Sequence, residues 1–161
     1  MYLHISLFGS VALLLSLRGV TPVFSDQASD PTVCALVTRA EAASAAGGPV
    51  PAGSATAMKF PMQGASIEAQ YCLYGSEVAV GRLKMGSDAQ SIFAKYRQSL
   101  LSKADYQDVS GVGDEAFIAK GQLAARKGTS GLIIDVGQAR GGGSKEVQAE
   151  KALAVLAMSR M

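Results

Sequence analysis

Between Ala116 and Gln138 the chain reads as three short strands, Ala116 to Lys120, Gln122 to Lys127 and Gly131 to Gln138, separated by glycine breaks at 121 and at 128 to 131. Breaks this short cannot hold a parallel crossover, which needs a dozen or more residues, so the three strands form an antiparallel meander. Leu132, Ile133, Ile134 and Val136 mark the last strand as the most central. Upstream, Ile67 to Tyr74 and Glu77 to Met85 flank a Gly75-Ser76 turn and predict a hairpin. Its second strand changes phase, with Val78 and Val80 on one side and Leu83 and Met85 on the other, which predicts a bulge near Gly81. The Gly-, Pro-, Ala- and Ser-rich stretch Pro49 to Gly64 reads mainly as a connection; Met58, Phe60 and Met62 alternate within it as a short edge strand ending near Pro61.

Helical signals separate these strands. Asp30-Pro31 is a cap and first-turn pair, and the run from Cys34 to Ala46 ends at Gly47-Gly48, with Val33, Leu36, Val37 and Ala40 on one face. Ser87-Asp88-Ala89-Gln90 has capping-box spacing and opens a second helix to about Lys103, with Ala89, Ile92, Phe93, Tyr96 and Leu100 inward. Ser144 caps a third helix, Lys145 to Met158, with Ala149, Ala152, Leu153 and Leu156 as its face. The expected fold class is α+β: a two-layer sandwich in which about three helices pack on an antiparallel sheet of five to six strands.

The 161 residues are 48% hydrophobic and 17% charged, with 15 basic against 13 acidic side chains, enough apolar content for one domain with a core. Scattered charges of both signs exclude a basic nucleic-acid arm and a polybasic membrane patch, so no nucleic acid is expected as a partner. The apolar run Ile5 to Leu17 falls short of the roughly 20 residues of a spanning helix and reads as a secretory segment. Val23-Phe24-Ser25 places the cut after Ser25, leaving a domain of residues 26–161, exported to the periplasm or beyond, with no stable transmembrane span. The segment MYLH ahead of the run lacks the usual Lys or Arg.

That cleavage removes His4, the single histidine, so the mature chain has no imidazole for a Ser-His-Asp or Cys-His site or for a metal. No catalytic, cofactor-binding or metal-ligating residue is assigned, and no cofactor is expected. Cys34 and Cys72, an even pair in an exported chain, predict a disulfide worth about 4 kcal/mol in the chain-entropy model. Strand phase conflicts with it. Cys72 shares a face with Glu68 and Gln70, opposite the apolar Ile67, Ala69, Tyr71 and Leu73, so a first helix packed on the apolar face would leave Cys34 on the wrong side. A twist, a bulge or a helix covering the mixed face would resolve this.

Other motifs have plainer readings. The segment Gly111-Val112-Gly113-Asp114-Glu115 is the candidate loop, too short for a dinucleotide fingerprint and read as a tight turn into a strand. Asp114 and Glu115, being adjacent in extended chain, point apart and make no acid/base pair. Gly141-Gly-Gly-Ser144 lacks phosphate-loop spacing, and Asp105 and Asp108 alone are too few oxygens for Ca²⁺. Thr56-Ala57-Met58-Lys59 approaches a Ser-Lys dyad, but in a loop; Lys120, Arg126 and Lys127 form a solvated basic edge. Tyr71, Tyr74, Tyr96 and Tyr106 are core residues with wet tips or the lining of a pocket.

With these elements placed, the Cys34 helix ending in Gly47-Gly48-Pro49-Val50, the Cys72-Leu73-Tyr74 strand and the run Gly111 to Phe117 resemble secreted bacterial envelope proteins of unknown function, including actinobacterial lipoprotein families. The resemblance covers about residues 30 to 160, and some such families are similar in fold to the PsbP-like sandwich. It implies no catalytic residues, and the absence of a lipobox cysteine departs from the lipoprotein members. The expectation is a non-enzymatic exported module that binds an envelope protein or small ligand or serves a structural role. The competing reading is a histidine-free enzyme using carboxylates such as Asp114, Glu115 or Asp135.

Overall fold

The computed structural model describes residues 31–62, 65–101, 106–137 and 144–161. The proposed leader, Asp30, Lys103, Asp105, Gln138 and Gly141 to Gly143 lie outside them. Seven strands form one antiparallel sheet: β1 (Ser54–Met62), β2 (Ala65–Tyr74), β3 (Val78–Lys84), β4 (Gln107–Val109), β5 (Glu115–Ala119), β6 (Gln122–Lys127) and β7 (Ser130–Val136). Their order is β1-β2-β3-β7-β6-β5-β4, so the apolar β7 occupies the middle, as its composition predicts. Two consecutive groups, β1 to β3 and β4 to β7, join where β3 pairs with β7 from Val78↔Val136 to Lys84↔Ser130.

Three α-helices pack against the sheet: α1 (Arg39–Ala46), α2 (Ala89–Leu101) and α3 (Ser144–Ser159). They cover both faces. α1 and α3 close a core with Cys72, Val80, Leu123 and Ile134, whereas α2 buries Ala89 and Phe93 against Tyr71, Phe117, Ala124 and Ile133, whose side chains leave the other side of the strands. The sheet is larger than the five to six strands expected, and helices cover both of its faces, because β7 carries apolar side chains on both sides and β2 sends Cys72 and Tyr74 into one core and Ile67, Ala69 and Tyr71 into the other.

This double burial removes the conflict at Cys72. Cys72 and Tyr74 face the first core, and Cys34, in a 3₁₀ turn at Pro31–Ala35, meets Cys72 at a Cα separation of 5.0 Å across 38 residues of chain. The first helix thus covers the mixed face of β2. The Tyr74 hydroxyl crosses the same interface and donates to the Val37 carbonyl.

Double burial also replaces the expected bulge. Register runs unbroken through Tyr71↔Gly81 and Gly81↔Ile133, and the phase change in β3 is one strand with apolar groups on both sides. Gly81 serves Tyr71 instead: a Cβ there would lie 2.5 Å from the tyrosine Cε1, so the ring rests on bare backbone.

The first helix is not continuous. The chain bends after the 3₁₀ turn and restarts at Thr38, whose Oγ1 accepts from the Glu41 amide while its own amide donates to Glu41 Oε2 at 2.7 Å, a reciprocal capping box. Ala40 is consequently exposed, and Ala42 and Ala46 face inward. The expected cap at Ser87 is absent, since Ser87 lies inside a 3₁₀ turn, Gly86–Asp88, that leads into α2. β1 extends from Ser54, so Thr56 and Lys59 lie in a strand, not a loop.

α3 is rotated from the face expected for it. Leu153, Ala154, Ala157 and Met158 are buried while Ala152 and Leu156 are exposed, and the inward stripe begins with an acid, Glu150, 1% exposed. Its Oε1 accepts from the Val136 amide at 3.2 Å, and its Oε2 is buried without a hydrogen-bond partner. Burial, then the charges of Asp135 and Glu146, push its pKa up to about 8 against the opposing pull of the Val136 amide. The end of α3 is tied down by Lys127 Nζ on the Met158 carbonyl at 3.1 Å and by Arg160 on Glu41 at 2.6 Å.

Candidate functional site

The position of α2 follows from connectivity. It carries the chain from β3, near the middle of the sheet, to β4 at one edge, so it lies over β5, β6 and β7. Phe93 anchors it with its ring centroid 5.4 Å from that of Phe117, and burial of such a side chain contributes about 1.5–3 kcal/mol. The same side of β2 and β3 is left partly uncovered, and Met58 on neighbouring β1 is 42% exposed.

A cleft of about 770 Å³ occupies this space, within the size range of small-molecule sites. Its floor is Tyr71, Leu73, Leu83 and Ile133; its wall is the stripe Ile92, Lys95, Tyr96 and Ser99, spaced to face one side of α2. Alternation along β2 aims Ile67, Tyr71 and Leu73 into it, and alternation along β7 adds Ile133 and Asp135. Asp135 is 3% exposed, and Lys95, on the flank of α2, is exposed to water.

Both phenols in the cleft stay protonated at neutral pH. Burial, then the charges of Tyr96 and Asp135, hold Tyr71 well above the ordinary tyrosine pKa, and burial raises Tyr96. The Tyr96 hydroxyl donates to Gln122 Oε1 at 3.2 Å. The cleft therefore offers apolar walls, aromatic faces, two neutral phenols and one buried carboxyl group. Among the described residues, no cluster of three or more His, Cys, Asp or Glu side chains could hold a metal ion.

The candidate loop is elsewhere and does structural work. Gly111 and Gly113 take φ of 81° and 60°, and a Cβ on Gly113 would collide with the Arg126 carbonyl, so glycine is required at this close approach. Asp114 accepts from the Gly128 amide at 2.8 Å and meets Arg126 Nη1 at 3.0 Å, while Glu115 Oε1 meets Arg126 Nε at 2.7 Å. The two acids thus converge on one guanidinium, contrary to the expectation that they diverge. Asp114 lies in the bend before β5, where strand alternation does not hold. Nor is Arg126 part of a solvated edge: its side chain is 14% exposed, and β6 is an interior strand.

The candidate carboxylates are not assembled into one site. Arg126 pairs across the sheet with Glu115 and Gly131, and Asp135 lies four residues farther along β7, roughly 13 Å at strand rise. Of the four tyrosines, Tyr71 and Tyr96 line the cleft and Tyr74 serves the opposite core; Tyr106 stacks on Phe117 at 5.5 Å and donates to Asp108, which also pairs with Arg97. The sequence marked Tyr71 and Tyr96 as candidate pocket lining and Ile92 as an inward residue of α2, but not their assembly with Leu73, Leu83 and Ile133 around one space. The available signal was an acid, Asp135, in an otherwise apolar central strand.

No family model matches the chain, and neither does any curated protein or solved structure compared with it.

Proposed function

We propose that this protein is an exported, non-enzymatic binding module that holds a small, largely apolar ligand in the cleft between α2 and the β2-β3-β7 face. The observation that carries this reading is the cleft itself: about 770 Å³, floored by Leu73, Leu83 and Ile133, on a sheet face that α2 covers only in part. The Cys34–Cys72 bridge supports export, since such bonds persist in oxidising compartments. The envelope-protein resemblance agrees with the same location.

Native mass spectrometry of protein recovered from its own host tests both halves. The expected species starts at Asp26, is lighter by two hydrogens until reduced, and carries an added mass that is lost on denaturation. Ala79→Trp, which places an indole in the cleft, is expected to abolish that added mass while leaving the disulfide. A reduced, full-length cytoplasmic species would overturn export. Retention of the added mass in Ala79→Trp would overturn the cleft as the binding site.

A further inference from the structure

Gln70 on β2 stands directly across from Arg82 on β3, and strand alternation turns both toward the side of Cys72 and Val80, away from the cleft. Gln70 is 7% exposed, and its Oε1 is buried without a hydrogen-bond partner. Arg82 Nε is buried in the same condition. Among the described residues, no acid or carbonyl pairs with this guanidinium, whereas Arg39, Arg97, Arg126 and Arg160 each hold one or the other. Arg82 as a whole is only half-buried, and its two terminal nitrogens are not among the buried atoms, so the fork can be reached from solvent.

The pair lies at the rim of the first core. One step inward along the strands, Cys72 and Val80 are fully buried; one step outward, Glu68 and Lys84 are exposed, with Lys59 across from Glu68. An unpaired buried donor beside an unpaired buried acceptor is unfavourable twice over. A group that satisfies both must accept from the guanidinium and donate to the amide oxygen. The planar fork and its charge select an oxyanion. Carboxylate and sulfate bring acceptors only, whereas a phosphate group that retains a proton brings acceptors and a hydroxyl. Lys59 and Lys84 add to the attraction, and Glu68 alone among the neighbouring strand residues opposes it.

We infer that the niche formed by Arg82 and Gln70 binds a protonated phosphate group, its charged oxygens against the guanidinium and its hydroxyl donating to Gln70 Oε1. The niche lies on the opposite face of the sheet from the cleft and stands independently of the cleft reading.

The test is calorimetric titration of the disulfide-bonded protein with inorganic phosphate, glycerol 3-phosphate and sulfate at matched ionic strength and about pH 6, near the second pKa of a phosphate ester. Phosphate is expected to bind about tenfold more tightly than sulfate, the worth of one good hydrogen bond. Arg82→Gln should weaken phosphate by about tenfold or more, and Gln70→Leu should erase the preference over sulfate. Lys59→Gln with Lys84→Gln should change only the salt dependence, and Ala79→Trp should change nothing. Tighter binding of glycerol 3-phosphate than of inorganic phosphate would assign a phosphate ester, and the reverse the free ion; either upholds the inference. The three anions on the unaltered protein decide the matter even if a variant does not fold. Equal binding of phosphate and sulfate, no saturable binding of either, or phosphate binding undiminished in Arg82→Gln would overturn it. Loss of phosphate binding in Ala79→Trp would also overturn it by placing the anion in the cleft, whereas failure of the cleft to hold an apolar ligand would leave it standing.

Discussion

Replacing Glu150 with glutamine should make the protein more stable, by an amount set by pH. In the folded state Glu150 keeps its proton to about pH 8, whereas the ordinary carboxyl value is 4.5. Between these values the native state binds one more proton than the unfolded chain, so the contribution of this group falls as pH rises through the window and levels off above it. At ~1.4 kcal/mol per unit, the loss across the window is about 5 kcal/mol, of which about 3 kcal/mol has gone by pH 7. Against a total stability of about 5–15 kcal/mol for a domain, this is a large share.

The amide of Glu150→Gln can still accept from the Val136 amide but does not titrate. Urea denaturation of both proteins at pH 4.5, 7 and 8.5 is the assay, and the difference between them cancels other titrating groups. The variant should match the parent at pH 4.5, exceed it by about 3 kcal/mol at pH 7 and by about 5 kcal/mol at pH 8.5. A difference that stays constant from pH 4.5 to 8.5 would refute the argument, since Glu150 would then titrate alike in both states.

Cys34→Ala with Cys72→Ala opens a loop spanning 38 residues and should cost about 4 kcal/mol, read as a lower urea midpoint matched by the reduced parent. Gly81→Ala drives a methyl into the Tyr71 ring and should cost about 1–3 kcal/mol, seen as a lower Tm together with weaker ligand binding. Arg160 beside Glu41, assisted by the Thr38 amide, holds the Glu41 carboxyl down at about 2. Its contribution is present above about pH 4.5 and lost as pH falls toward 2, so Arg160→Ala should flatten the acid limb of the stability profile in that range.

Much of the sheet was legible because its signals are local. The glycine breaks at 121 and 128 force β5, β6 and β7 to turn back at once, and the apolar β7 has to be central. The α2 face was legible for the same reason, with Ala89 and Phe93 buried at helical spacing. Thr38 and Glu41 at the start of α1 carry a capping-box signal as plain as the one at Ser87 before α2, and of the two only Thr38 forms the cap. The bend after Ala35 lets Cys34 reach Cys72, a demand that comes from another part of the chain.

The α3 face was illegible because apolar spacing points away from an acid, and Glu150 is tolerated inside only because it is paired with the Val136 amide and keeps its proton at neutral pH. Asp114 and Glu115 look divergent until the bend before β5 turns both toward Arg126.

By itself, then, the amino-acid sequence determined the β2-β3 hairpin, the β5-β6-β7 meander, the α2 and α3 segments and the cysteine pair, all of which depend on spacing and turn chemistry over a few residues. The short β4, most of β1 and the break before α1 were not legible in it. Tertiary structure alone decided that β3 and β7 pair across the middle, that helices cover both faces and that α2 stops short of β2. The cleft arises from that last fact. It is the space left when one helix crosses a seven-stranded sheet toward its far edge, and no residue pattern along the chain records a space between elements.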